Sequence, residues 1–176
     1  MRSGRQDVAD YDNLITQQIP RLRRYARALT GERSAADDLV QDTLERAWNK
    51  FHLWRRGSDL RAWLFTIMHN VFINQVRGRA AMPVVPLDDE IMELPAHTAQ
   101  VDRLEIRDLD AALIRLPDEQ REVLLLIALE QLSYEETAKA LGIPIGTVMS
   151  RLSRARERLR CIMAGLPEVA TLKVVK

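Results

Sequence analysis

The stretch SYEETAKALGIPIGTVMSRLSRARERLR, residues 133–160, consists of two amphipathic segments separated by a break at Gly142. Ser133 followed by Glu136 is typical of a capping box, which marks the start of a helix. Gly142 predicts the end of that helix, because glycine readily adopts the left-handed backbone that closes a helix. In the second segment, apolar residues recur at helical spacing at Val148, Leu152, Ala155 and Leu159. Two helices joined by a short glycine-containing turn predict a helix-turn-helix.

The opposite face of the second predicted helix is small, polar and basic. Such a helix fits the major groove of DNA when its bulky apolar residues lie on the reverse face. Thr147 lies at the N-terminus of this helix, where backbone N–H groups and the helix dipole favour a phosphate. Arg151 and Arg154 are placed to reach base edges or phosphates. The alternative is an ordinary helical hairpin with a solvated basic face, since runs of charge usually lie on the surface.

Composition narrows the class of protein. The 176 residues suffice for one ordinary domain or two small ones, and the apolar content of 47% fits a globular protein. The formal net charge is only +1, so nucleic-acid binding must be argued from local clusters, such as the five arginines in residues 151–160. The single cysteine, Cys161, excludes an internal disulfide and a cysteine zinc site. Without an apolar run typical of a signal peptide or a membrane span, a cytoplasmic protein with no membrane insertion is expected.

Apolar residues follow the helical period along most of the chain, which predicts an all-α protein. The predicted helices cover residues 11–29, 34–50, 60–77, 101–116, 117–129, 133–142 and 146–163. Pro20 is expected to produce a kink or a boundary in the first of them. Ser34 and Asp37 are expected to form a capping box for the second.

Residues 78–100 break the helical pattern and combine prolines with acidic residues. A patternless stretch of this length is unusual inside one compact domain, which favours two small helical domains joined by a flexible acidic linker. The predicted boundaries are 10–78 for the first domain, 79–100 for the linker, 101–165 for the second domain and 166–176 for a frayed tail.

Three blocks of sequence resemble a known family. Residues 116–160, LPDEQREVLLLIALEQLSYEETAKALGIPIGTVMSRLSRARERLR, closely resemble region 4 of bacterial extracytoplasmic-function (ECF, group 4) sigma factors of the sigma-70 family. Residues 28–51, ALTGERSAADDLVQDTLERAWNKF, resemble regions 2.1 to 2.2, and residues 57–79, GSDLRAWLFTIMHNVFINQVRGR, resemble regions 2.3 to 2.4. The resemblance covers about residues 10–163. It implies a protein that binds core RNA polymerase, directs it to promoters and melts the DNA near the start site.

The resemblance also implies three sets of functional residues. Those implied for binding core polymerase are Asp38, Gln41, Asp42, Glu45 and Arg46. Those implied for the minus-10 element are Arg55, Arg56, Leu60, Arg61, Trp63, Asn70, Asn74 and Arg77. Those implied for the minus-35 element are Thr147, Met149, Ser150, Arg151 and Arg154.

Three details of this assignment leave alternatives. Met149 stands where the family commonly has a basic residue, which implies a different base preference or a lost phosphate contact. Trp63 is interpreted as a core residue in preference to a residue that stacks on a DNA base. The linker acids either mimic nucleic acid in a basic channel of the polymerase or belong to an inert tether; they are Asp88, Asp89, Glu90 and Glu93.

The implied partners are core polymerase, through its beta-prime clamp and beta flap, promoter DNA, and an anti-sigma factor acting in a stress or environmental response. A monomer is expected when the protein is free. An enzyme, a cofactor and a metal site are not expected, because His52, His69 and His97 lack ligand spacing and no glycine-rich phosphate loop is present. The remaining alternatives are a sigma-like decoy that captures a regulator and a simple helix-turn-helix repressor.

Overall fold

The computed structural model describes residues 3–55, 57–81 and 100–166, and every regular element in these ranges is helical. The α-helices are α1 (Ser3–Thr30), α2 (Arg33–Lys50), α3 (Leu60–Ala81), α4 (Gln100–Ile114), α5 (Asp118–Ala128), α6 (Tyr134–Leu141) and α7 (Ile145–Met163), with a short 3-10 helix at Phe51–Leu53. The all-α prediction is confirmed. Arg56, the acids predicted for the linker and the tail from residue 167 lie outside the described residues, so the predictions about them stay predictions.

The first helical unit is a bundle of α1, α2 and α3. The apolar stripe of α1 is buried at Leu22, Ala26 and Leu29, and α2 packs between α1 and α3. Helix α3 is apolar around most of its circumference because α2 and α6 both pack on it. The rings of Tyr25 and Phe65 meet edge to face, with centroids 5.0 Å apart, which ties α1 to α3.

The helices of this unit differ in several places from the sequence predictions: α1 begins at Ser3 instead of residue 11, and α3 ends at Ala81 instead of residue 77. Helix α1 continues through Pro20, so no boundary occurs there. The capping box predicted at Ser34 is wrong: Glu32 is the N-cap residue, and the Ser34 hydroxyl donates to the Glu32 carboxylate instead of capping a backbone N–H. At α3, by contrast, the Asp59 carboxylate accepts two backbone N–H groups of the first turn at 2.8 and 3.2 Å.

The second helical unit contains α4 to α7. The predicted capping box opens α6: the Ser133 hydroxyl accepts the Glu136 N–H at 3.1 Å, and the Glu136 carboxylate accepts the Ser133 N–H at 2.7 Å. Gly142 closes α6 with a φ of 64°, and α7 follows directly. Helix α7 packs against α4, α5 and α6 through Val148, Leu152 and Ala155, which are buried. The predicted helix-turn-helix is confirmed.

The two units also pack against each other. Helix α1 lies on α4 and α5, and α3 lies on α6. The buried apolar side chains of both units form one continuous cluster. The sequence predicts two helical domains but contains no signal for this contact, which places α6 against α3, the helix of the predicted minus-10 residues.

Candidate functional site

The exposed face of α7 contains most of the residues predicted for the minus-35 element. Met149 is 48% exposed and Arg154 is exposed, whereas Thr147 and Ser150 are partly buried. The Ser150 hydroxyl donates to the Thr147 carbonyl at 3.1 Å. Because the opposite face of α7 is buried, these residues form a continuous surface along the first three turns. This is the side of the helix that a major groove would admit.

Arg151 is held by an acid that sequence reasoning missed. Its Nη2 atom lies 2.6 Å from Oε2 of Glu119 on the first turn of α5, and its side chain is 22% exposed. A phosphate or a base edge that approaches Arg151 therefore competes with this carboxylate for the guanidinium. The sequence offered no signal for the pair, since an acid in the first turn of a helix is ordinarily explained by the helix dipole.

The arginines of α7 differ in whether an acidic side chain pairs with them. Arg154 and Arg156 are exposed, but the Arg160 guanidinium donates to the Glu157 carboxylate at 2.7 Å. This hydrogen bond and the guanidinium charge hold the pKa of Glu157 below its ordinary value and raise the pKa of Arg160. The exposed cations Arg154 and Arg156 lie beside the predicted minus-35 residues.

The exposed side of α3 contains three of the residues predicted for the minus-10 element. Asn70, Asn74 and Arg77 are exposed and share one face, because they are spaced by four and three residues. The Asn70 amide donates to the Thr66 carbonyl at 2.8 Å, which leaves its oxygen directed away from that bond. Arg55, before α3, is exposed as well.

The first turn of α3 contains the rest of the described minus-10 set. Leu60 and Trp63 are partly buried against the core, and the Trp63 ring meets Phe51 edge to face with centroids 6.1 Å apart. This packing agrees with the interpretation of Trp63 as a core residue. Arg61 is 24% exposed, and its guanidinium donates to the Glu130 carbonyl of the second unit at 3.1 Å.

Helix α2 presents the residues predicted to bind core polymerase. Asp38, Gln41, Glu45 and Arg46 are exposed. Asp42 is partly buried, and its Oδ2 atom accepts a hydrogen bond from the Gln75 amide of α3 at 2.9 Å. Gln41 and Glu45 also line a groove between α2 and α1. The face is polar and mostly open, which suits charge-assisted contacts with a partner helix.

Sequence reasoning missed two buried carboxylates at the contact between the units. Glu130 lies within 2.8 Å of Arg24 of α1, and Glu122 of α5 lies within 2.8 Å of His69 of α3. The hydroxyl of Tyr25 is nearby: burial, followed by the charges of Glu122 and Glu130, raises its pKa well above the ordinary tyrosine value. In a single sequence, acids spaced along amphipathic helices are indistinguishable from solvated ones.

The comparisons with known proteins first define the class. The family model described as "Sigma-70, region 4" matches residues 106–159, which include the helix-turn-helix. The model described as "Sigma2 domain of PhyR" matches residues 15–69, which include α2 and the first turns of α3. The two helical units are those of a sigma factor, in the order region 2 then region 4.

The relatives narrow the class to a family, and the chain belongs to the ECF RNA polymerase sigma factors. It is 38% identical over 149 residues to the ECF RNA polymerase sigma factor EcfG of Rhodopseudomonas palustris, covering 85% of this chain and 82% of that protein. It is 33% identical over 156 residues to the ECF RNA polymerase sigma factor SigM of Mycobacterium tuberculosis, covering 89% and 78%.

Solved structures agree with this assignment. The sigma factor RpoE of Bartonella quintana, in complex with the anti-sigma factor NepR, superposes with a TM-score of 0.74 at 39% identity, covering 88% of this chain and 97% of that one. CnrH, in complex with the cytosolic domain of CnrY, superposes with a TM-score of 0.67 at 27% identity, covering 93% and 92%. The anti-anti-sigma factor PhyR of Bartonella quintana, with a TM-score of 0.54 at 21% identity, covering 83% of this chain and 48% of that one, shares the fold.

The described part of the chain contains neither a candidate membrane span nor a candidate metal site. None of its helices combines the length and the apolar character needed to cross a membrane. Within the same residues, no group of three or more histidine, cysteine, aspartate or glutamate side chains is arranged to hold a metal ion.

Proposed function

We propose that this sigma factor directs core RNA polymerase to promoters through three surfaces: the exposed face of α2 for the polymerase, α3 for the minus-10 element and α7 for the minus-35 element. The observation that carries the proposal is the polar, basic and largely exposed outer face of α7, opposite a buried stripe. A helix that only completes a bundle has no need for this combination of small polar residues and arginines in its first turns. DNA binding explains it because phosphates attract the arginines and the groove admits the helix.

The proposal extends to the polymerase subunits. The α2 face, at Asp38, Gln41, Glu45 and Arg46, suits a polar helix of the beta-prime clamp, and region 4 is proposed to bind the beta flap. The protein acts without catalytic activity of its own, as a monomer when free, in the cytoplasm. The melting of DNA is assigned to α3, where the exposed amides of Asn70 and Asn74 are suited to base edges.

A charge reversal tests the polymerase surface. Asp38→Lys is expected to weaken binding to purified core polymerase at least tenfold, because it places a cation where the proposal needs an anion. Gln17→Lys, which adds a cation at an exposed position of α1 outside the α2 face and outside region 4, is the control and is expected to bind like the unaltered protein. Equal affinity of both variants would remove α2 from the proposal.

Control by an anti-sigma protein is proposed on the basis of two related structures. RpoE is bound to NepR and CnrH to the cytosolic domain of CnrY in those structures. A partner that covers α2 or α7 would block transcription, which fits a stress or environmental response. Co-purification of a small protein with this chain from its native cells, followed by its removal and recovery of transcription, is the expected result.

A decoy is the second candidate, favoured by the match of residues 15–69 to the sigma-like domain of PhyR. Such a protein would bind an anti-sigma factor through its sigma-like fold without forming a holoenzyme. Binding to core polymerase distinguishes a decoy from a sigma factor. A decoy binds the anti-sigma factor but not core polymerase, whereas a sigma factor binds both, and the two partners compete for it.

A further inference from the structure

Glu130, in the turn between α5 and α6, is a carboxylate buried at the contact between the two units. Its side chain has no exposed surface, and its Oε1 atom lies 2.8 Å from Nη2 of Arg24 on α1. The same guanidinium nitrogen is 3.4 Å from the Leu129 carbonyl. Among the described residues, the second oxygen of Glu130 has no hydrogen-bond partner. Burying a carboxylate with only one of its oxygens hydrogen-bonded loses free energy of hydration that the single bond does not fully replace. The contact between the two units is therefore less stable than the apolar area it buries would suggest.

Glu122 provides a second polar contact between the same units. Its side chain is 3% exposed, and its Oε1 atom lies 2.8 Å from Nδ1 of His69 on α3. Tyr25 is buried near both carboxylates. The centre of the contact thus combines two acids of region 4 with an arginine, a histidine and a tyrosine of region 2.

A contact built in this way is suited to opening. When the units separate, water solvates both carboxylates, which recovers much of the free energy lost on burial. When one partner is removed while the units stay closed, a charge is left buried without its counterpart. The polar pairs therefore make the closed state depend strongly on a few side chains, as is typical of contacts between domains that move.

Closure also engages a residue of the proposed DNA surface. The Arg61 guanidinium donates to the Glu130 carbonyl at 3.1 Å and lies 3.4 Å from the Asp59 carboxylate. Only 24% of its side chain is exposed. While the units are closed, region 4 thus competes with DNA for this arginine.

We propose that Glu122 and Glu130 act as an autoinhibitory latch, which closes region 4 over region 2 and withholds Arg61 from promoter DNA until the two units separate. Of this proposal, only the withholding of Arg61 from DNA rests on the proposed function. The closure itself is a property of the free chain and can be measured without DNA or polymerase.

The test uses the full chain and compares two neighbouring arginines of α1. Arg24→Gln removes the partner of Glu130 but leaves the half-exposed α1 surface intact, so the protein is expected to fold. Arg23→Gln makes the same change at an exposed position and is the matched control. Glu130→Gln, which keeps the shape and removes the charge, is the second variant.

Opening is measured by single-molecule energy transfer between dyes on α2 and α7, attached at Asn49→Cys and Met163→Cys in a Cys161→Ala background. Arg24→Gln is expected to raise the ratio of open to closed molecules about tenfold, since a hydrogen bond to a buried charge is worth roughly that factor or more. Arg23→Gln is expected to leave the ratio unchanged. Equal ratios in Arg24→Gln, Glu130→Gln and the control would overturn the latch.

Transcription at limiting protein concentration tests the consequence. The open variant Arg24→Gln, without dyes, is expected to initiate severalfold more often than the unaltered chain with core polymerase. Opening without any gain in initiation would overturn the withholding of Arg61. If the unaltered chain supports no initiation at any concentration, the proposed function fails, and the energy-transfer result still decides whether the latch exists.

Discussion

Gly31, between α1 and α2, gives a quantitative test of the contact between the two units. Its φ is +77°, and a Cβ atom added there would lie 2.6 Å from Cδ1 and 2.8 Å from Cγ1 of Ile114 on α4. Alanine in left-handed backbone costs about 1–2 kcal/mol. Overpacking typically costs about 1–3 kcal/mol, and the lower end applies because Ile114 is exposed enough to shift. Gly31→Ala is therefore expected to lower the free energy of unfolding by about 2–3 kcal/mol.

Gly57 provides the matched control for this substitution. Its φ is +91°, and an added Cβ would meet nothing within 4 Å. Gly57→Ala thus pays only the backbone cost, and urea denaturation is expected to show a smaller loss by about 1 kcal/mol. In the double variant Gly31→Ala, Ile114→Ala, the added methyl group no longer meets the isoleucine, so the extra loss of unfolding free energy at Gly31 should disappear. A double-mutant cycle is then expected to give a coupling free energy of about 1 kcal/mol between the two positions. Equal losses at both glycines, with no coupling to Ile114, would refute the packing of α4 on the α1–α2 turn.

Three further substitutions test other parts of the molecule. Ser133→Ala is expected to cost about 1 kcal/mol by thermal unfolding, because it removes half of the α6 capping box, whereas Ser153→Ala on exposed α7 surface should be neutral; equal effects would contradict the cap. Tyr25 ionises at about pH 10 in the unfolded chain but only at higher pH in the folded chain, so the free energy of unfolding falls as the pH rises above 10. Tyr25→Phe should make that fall shallower in denaturation curves recorded between about pH 9 and 11, and an unchanged slope would contradict the burial of the hydroxyl. Met149→Lys is expected to add one phosphate contact, which steepens the dependence of log affinity on log salt for duplex DNA by about 0.9; an unchanged slope would place Met149 away from the backbone.

Sequence patterns predicted local structure well where a few neighbouring residues decide it. The α6 capping box at Ser133 and the turn at Gly142 depend on contacts within one helical turn, and both are confirmed. The capping box at Ser34 failed for a related reason: the N-cap residue is Glu32, two residues before Ser34, so Ser34 already lies inside the helix, and its hydroxyl bonds to the carboxylate of Glu32. The position of a helix start within one or two residues is beyond the resolution of a sequence pattern.

Contacts between distant residues were not predictable from one sequence. The separation of Arg24 and Glu130 is 106 residues, and nothing in the sequence of α5 or of the turn that follows it distinguishes buried Glu122 and Glu130 from solvated acids. The pair formed by Arg151 and Glu119 was missed for the same reason. Helical periodicity predicts which side of each helix is exposed. Which residue an exposed or buried side chain then bonds to depends on how the helices pack, and the periodicity contains no information about that.

Transcription by purified core polymerase, with and without this protein, from a library of genomic fragments tests the central claim most directly. Mapping of RNA 5′ ends is expected to reveal new start sites preceded by a shared pair of sequence elements, at the positions of minus-35 and minus-10 elements. Substituting Arg154 with Gln should weaken initiation at these sites, because it removes an exposed cation of the proposed minus-35 surface. The absence of new start sites with folded protein and active core polymerase would contradict promoter-directing function and favour the decoy.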